Sequence, residues 1–310
     1  MKILKYIKKI SNSLFKNSLL SKKFVSHNIS SWKNYNSDVN QGVILSDYIK
    51  SFENEIPRTY FLNIISKKYK AKLCVFSDQK SILFNREWIG NYKSFNVNKF
   101  IYIYLNKFFF KLFFSFSKKY QINSIIKNMF ESIETKMDIM NLKYRDIEIG
   151  REIYAEYLLR FRHPTVNIKD LRLKKIIKEA IFVVEYWIDF FKTNNVKAVS
   201  LSHPNVRFLG LVGKVANLNL VPVYGVTNTY IRKYFNLNDH FNFIRDEYFK
   251  NKNDFAKLSN LDKKNAIEWS KNRLQLRLSG NIGVDMHYTN QSAFHSEIKK
   301  RALKKTNLKK

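Results

Sequence analysis

The stretch Lys197–Tyr224, KAVSLSHPNVRFLGLVGKVANLNLVPVY, constrains the fold of this chain more than any other, because it passes from strand through polar turn and helix to a second strand in one short unit. The run Ala198-Val199-Ser200-Leu201 has the length and β-branched content of a buried parallel strand. Ser202-His203-Pro204-Asn205 follows at its C-terminal end, which is where ligands sit in open α/β sheets. Phe208–Leu218 reads as a helix whose Gly210, Gly213 and Ala216, spaced by three, let its backbone approach the sheet. Val221-Pro222-Val223-Tyr224 is then the next strand, with Pro222 near its first residue, where a missing N–H is tolerated.

Two further units agree with this reading. Gly42-Val43-Ile44-Leu45 and Ala71–Phe76 are apolar strands on either side of Pro57–Tyr69, which carries a helical stripe through Tyr60, Phe61, Ile64 and Ile65. Strand, helix, strand favours a parallel sheet. Leu171–Thr193 has the clearest helical period, with Ile176, Ile177, Ala180, Val184, Trp187, Ile188 and Phe191 recurring at threes and fours; Asp170 stands ready to cap its start and Asn194-Asn195 to turn it into the strand Val196–Leu201. The fold class expected is α/β, a Rossmann-like parallel sheet flanked by helices. Its expected extent is 41–295, with a helical insertion at about 82–145, a basic N-terminal arm at 1–40 and a basic tail at 296–310. Val97–Phe116 is the nearest approach to a membrane span, but Lys99, Lys107 and Lys111 interrupt it, so it is expected as a buried or interfacial helix.

Composition sets the bounds on partners. The formal charge of +31 invites a nucleic-acid reading, yet 43 of the 56 basic residues are Lys and only 13 Arg. Base and phosphate readers favour the planar fork of Arg, whereas dispersed Lys makes a solvated surface, so nucleic acid is not the partner expected; an anionic membrane surface or a polyanionic glycan fits better. The lone cysteine, Cys74, lies in the apolar run Leu73–Phe76, excludes an intrachain disulfide and reads as a small core residue in a reducing cytoplasm. Lys residues interrupt every apolar run of the first 24 residues, so no signal-peptide core is expected.

Several residues are candidates for chemistry. His203, at the mouth of the strand ending in Leu201, has the residue type for a general base or for hydrogen bonding a hydroxyl; the alternative is a histidine that orders the Ser202–Asn205 turn. Gly210-x-x-Gly213 lies inside a helix and is not a dinucleotide fingerprint, and no Walker loop, H-E-x-x-H or paired C-x-x-C is present, so neither NAD, FAD nor a metal is expected. Arg160 and Arg162, in Arg160–Thr165, place cationic donors before a proline turn and suit an anion such as a diphosphate, or else are surface charge. Asp285, in Gly280–Tyr288, belongs to a second polar cluster that is otherwise an ordinary loop.

Taken in order, Gly150–Arg160 (GREIYAEYLLR), Pro164-Thr165, Ser202-His203, Gly210, Pro222-Val223-Tyr224 and Leu278–Ala293 resemble bacterial surface- and capsule-polysaccharide biosynthesis proteins of the two-domain glycosyltransferase type, over residues 42–295. The resemblance implies the GT-B arrangement of two Rossmann-like domains facing one cleft, the sugar-nucleotide donor held chiefly by the C-terminal one. The pattern departs at Ala155, where the family has an acidic residue, and near Val206, where it has an aromatic one. The chain stops where the family would begin its second domain, so the expectation is an acceptor-side half. In that half His203 would be the base toward an acceptor hydroxyl, Ser202, Asn205, Tyr224 and Asp285 would contact the acceptor, and Arg160, Arg162 and Arg232 would meet an anion. The implied partners are a lipid-linked sugar acceptor at the cytoplasmic membrane face and a second chain supplying the donor domain. The alternative from another class is a non-catalytic scaffold that holds a glycan or a partner chain in the same cleft.

Overall fold

The computed structural model describes residues 19–32, 40–48, 52–77, 86–103, 116–202, 208–226, 231–234 and 251–281. The chain divides into two compact units, Met1–Asp239 and His240–Lys310. The α/β domain expected at 41–295 runs across that division, and the sheet lies wholly in the first unit.

Among the described residues the sheet has six strands: β1 (Val43–Asp47), β2 (Lys72–Ser77), β3 (Val97–Tyr102), β6 (Val196–Leu201), β7 (Val223–Val226) and β8 (Ile231–Tyr234), in the spatial order β3-β2-β1-β6-β7-β8. The first five run parallel and β8 closes the edge antiparallel to β7. A separate two-stranded ribbon, β4 (Lys143–Tyr144) and β5 (Ile147–Glu148), lies between helices. The architecture is α/β and Rossmann-like. Its order reverses at β1: the chain steps outward to β2 and β3, then returns to lay β6 and β7 on the other side.

Both faces of the sheet are covered, which is why its central strands are apolar at nearly every position. Ile44, Leu73, Val75, Val97 and Ala198 pack on one face with Leu62 and Ile65 of α2 (Phe52–Tyr69) and Trp88 and Tyr92 of α3 (Arg86–Ser94); α1 (Leu19–Trp32) packs on α3. On the other face Leu45, Cys74, Phe76, Ile101, Val199, Leu201 and Val223 meet α4 (Phe116–Glu131), α6 (Gly150–Phe161), α7 (Leu171–Thr193) and α8 (Leu209–Leu218). A short α5 (Lys136–Met140), closed by a Thr135–Asp138 capping box, precedes β4. Helix α7 buries twelve side chains, and Asp170 caps it by accepting from the Arg172 N–H at 2.9 Å. Gly210, Gly213 and Ala216 are buried on α8, which packs on β6 as their spacing implied.

Strand β3 corrects the expectation for Val97–Phe116. Residues 97–102 are an edge strand, not a helix, and residues 104–115 lie outside the described residues. Val97 and Ile101 point into the core while Lys99 stands exposed, so the lysine that interrupts a helical stripe here guards an open sheet edge. The segment 82–145 is accordingly not all helical insertion: α3 and β3 add a layer helix and an edge strand, and the next described element is α4.

In the second unit residues 251–257 are helical and α9 (Asn260–Leu278) follows, capped by Ser259; no described side chain of α9 is buried. Among the described residues no helix is long and apolar enough to cross a membrane.

The start of β1 is pinned beside β6. The Val43 N–H donates to Asn195 O at 2.9 Å and Asn195 Nδ2 to Gln41 O at 2.8 Å. Gly42, at φ +151°, allows this approach: a Cβ there would stand 2.2 Å from Asn195 O. Gly42→Ala is expected to lower the unfolding free energy by about 2 kcal/mol or more, read from urea denaturation, since both the backbone angle and the strand contact must yield.

Candidate functional site

Parallel strands β1 and β6 are adjacent but lead to neighbours on opposite sides, which makes their C-terminal ends the switch point where folds of this class carry a ligand crevice. Ser46 and Ser200 face each other in register there, and each chain then adds one polar residue, Asp47 on β1 and Ser202 just after β6. The two are joined. The Ser202 N–H donates to Asp47 Oδ1 at 3.0 Å, and Ser202 Oγ donates to Asp47 Oδ2. From α2, Arg58 Nη1 donates to Asp47 Oδ1, and its Nη2 reaches both Asp47 O at 2.5 Å and Tyr92 Oη at 3.2 Å.

This clasp is dry. Asp47 and Arg58 are both fully buried, so each charge depends on the other. Burial works against the Arg58 guanidinium, but Asp47, then Tyr92 and Glu55, outweigh it and hold its pKa above the ordinary value. Around the clasp lie Tyr48, whose ring centroid is 5.4 Å from that of Tyr92, and Glu55, one turn before Arg58 on α2. Burial raises the Tyr48 hydroxyl well above its usual range, with Tyr92, Glu55 and Tyr102 adding to it. Burial likewise pushes the Glu55 carboxyl up to about 8, against the pull of Arg58. Near neutrality the crevice therefore holds one balanced ion pair and one neutral carboxyl.

The sequence candidates are placed as follows. Ser202 is in the clasp. Tyr224 packs its ring edge on Phe61 at 5.2 Å, and its hydroxyl lies 3.5 Å from that of Tyr69 at the far end of α2; burial, then Tyr69, pushes it up to about 12. Eleven residues of helix separate Tyr69 from Arg58, roughly 16 Å. Arg160 is held by carboxylates on two helices, donating to Glu156 Oε1 at 2.6 Å and to Glu179 Oε2 at 2.8 Å. Arg162 is exposed and ends α6 in a left-handed conformation at φ 54°, its N–H donating to Leu158 O. Arg232 is half-buried on β8, opposite Gly225 in the ladder. His203, Asn205 and Asp285 lie outside the described residues. Among the described candidates the structure thus brings Ser202 to the switch point and places Arg160 in a helix-to-helix ion pair.

The segment Gly150–Arg160 is likewise tied into packing. A Cβ on Gly150 would stand 2.0 Å from Ile139 O, and Glu152 forms a buried ion pair with Lys214 of α8 at 2.7 Å. Sequence reasoning missed Asp47, Tyr48, Glu55, Arg58 and Tyr92. Asp47 carried a usable signal, an acid closing an apolar strand, as Ser202 does; Arg58 carried none that separates it from a solvated arginine. Among the described residues no group of three or more His, Cys, Asp or Glu converges.

The fold and crevice define a Rossmann-like α/β protein with its candidate site at the β1/β6 switch point. Comparison with protein-family models, curated proteins and solved structures found no match to the chain.

Two measurements probe this site. Asp47→Ala leaves a buried, unpaired guanidinium and is expected to cost about 3–5 kcal/mol of stability in urea denaturation. Glu55 gives a pH signature. The folded chain keeps its proton to about pH 8 while an ordinary carboxyl releases it near 4.5, so the unfolded state binds fewer protons in that window. Stability from this group is therefore full below pH 4.5 and declines as pH rises to 8, by at most roughly 1.4 kcal/mol per pH unit. Glu55→Gln is expected to match the wild type in Tm at about pH 5 and to exceed it at about pH 9.

Proposed function

We propose that this chain is a glycosyltransferase-like protein of surface-polysaccharide synthesis whose β1/β6 crevice holds a sugar acceptor. The observation that carries the reading is the crossover itself: the polar ends of β1 and β6, Asp47 and Ser202, are clasped where ligands of this fold class bind. The resemblance of the segments from Gly150 to Ala293 supports the same class. Acceptor groups delivered to this crevice would meet Ser202 and the residues that follow it in sequence, His203 and Asn205, with His203 as the base. A sugar nucleotide supplied to a facing domain would be the donor, and the inner face of the cell membrane the place of work.

A second reading is favoured by one specific feature. Both oxygens of Asp47 are already engaged, and the Glu55 carboxyl stays protonated to about pH 8, so neither is a free base at neutral pH. That suits a non-catalytic scaffold which holds a glycan without transforming it.

An array of bacterial surface oligosaccharides tests both. Retention of the labelled chain on neutral glycans, weakened about tenfold by Ser202→Ala, is the expected result; no retention on any of them would sink the glycan reading. Nucleotide release from a panel of activated sugars, in the presence of a retained glycan, then separates transferase from scaffold. If transfer occurs, His203→Ala should slow it by about 100-fold or more, and unchanged turnover would return His203 to ordering its turn.

A further inference from the structure

The clasp leaves a second tier of polar atoms unused. Neither oxygen of the Glu55 carboxyl, nor the Tyr48 hydroxyl, nor Arg58 Nε has a hydrogen-bond partner among the described residues, although all are buried and Glu55 is only 1% exposed. They are neighbours: Tyr48 follows Asp47, Glu55 lies one turn before Arg58, and the charge on Glu55 acts on both. Buried polar atoms without partners cost the full loss of their hydration, so a native fold that keeps several together completes them with water or with the polar groups of a ligand.

We propose that Glu55, Tyr48 and Arg58 Nε form a receptor for the hydroxyls of a neutral carbohydrate, with Glu55 as its central contact and with selection against phosphorylated sugars. The inference rests on reading the crevice as a glycan site. Charge decides the class of ligand. Both Nη atoms of Arg58 are spent on Asp47 and Tyr92, so its cation is balanced and its Nε is the donor left. The groups that act on Glu55 are Arg58 on its own helix and Tyr48 at the end of β1; Asp47 and Tyr92 act in turn on Arg58, and Tyr92 and Tyr102 on Tyr48. An incoming phosphate would add a negative charge to a buried site holding two carboxyl groups and one guanidinium. A sugar hydroxyl both donates and accepts, and finds complementary atoms in a neutral carboxyl, a phenol and one N–H.

The test titrates the full chain at about pH 7 with D-glucose, D-galactose and N-acetyl-D-glucosamine, and with glucose 6-phosphate and inorganic phosphate, by ligand-observed NMR. At least one neutral sugar should bind, with the phosphorylated sugar and phosphate about tenfold weaker or more. Glu55→Ala should weaken sugar binding about tenfold or more, while Glu55→Gln, which keeps a donor and an acceptor, should stay within about threefold. Wild-type affinity should fall about tenfold between about pH 7 and pH 9, and that of Glu55→Gln should not. A thermal melt of each variant separates misfolding from lost contacts, and the isosteric Gln variant keeps the pH arm decisive. Tighter binding of phosphate or glucose 6-phosphate would overturn the neutral-ligand assignment and leave the glycan site standing. So would sugar binding indifferent to Glu55→Ala in a chain that melts like the wild type, or an identical pH profile in Glu55→Gln. Failure of every sugar to bind would overturn this inference, and together with an empty glycan array would remove the acceptor reading as well.

Discussion

Asp47 and Arg58 are each buried completely, and the arrangement of the first unit turns on their contact. A pair of charges removed from water gains little net stability, because desolvation offsets most of the attraction, but the penalty for separating them is large. The pair therefore acts less as a source of stability than as a constraint. Arg58 must lie over the end of β1, which fixes α2 against the sheet, and Asp47 must turn its remaining acceptor capacity toward Ser202, which holds the end of β6 beside it. At the opposite end of the same strands Gly42 and Asn195 bring the backbones together. Two strands distant in sequence are thus tied at both ends.

Much of this was legible in the sequence and some of it was not, for identifiable reasons. The unit β6-α8-β7 was readable because a fully buried parallel strand is a continuous apolar run, and because Gly210, Gly213 and Ala216 have no other use at that spacing. β1, α2, β2 and α7 followed from the same rules. β3 was hidden because an edge strand carries exposed lysine, which period analysis scores as the polar face of a helix. β8 is short, with alternate residues exposed, and its place depends on Gly225, over which the Tyr234 ring lies so closely that a Cβ would come within 2.6 Å of its hydroxyl. The Asp47–Arg58 pair depends on which way the chain leaves β1 and on the register of β1 against β6. Both are tertiary facts, with no trace in the local pattern around either residue.

Arg160 shows the opposite case. Its partner Glu156 stands four residues before it on the same helix, a spacing that sequence alone reads as an ion pair, and Glu179 on α7 completes the fork. A cation already engaged twice is a poor anion trap, so Arg160 serves helix docking better than ligand capture.

The balance of charge in the crevice stands apart from that of the chain. With a formal charge of +31, the chain as a whole favours anions over cations as partners. The switch point instead pairs its guanidinium with a carboxylate, and burial keeps a second carboxyl neutral beside it. Selectivity for an uncharged, hydroxyl-bearing group follows from that local neutrality, because hydrogen-bond geometry remains the one strong preference such a site can express once its charges cancel.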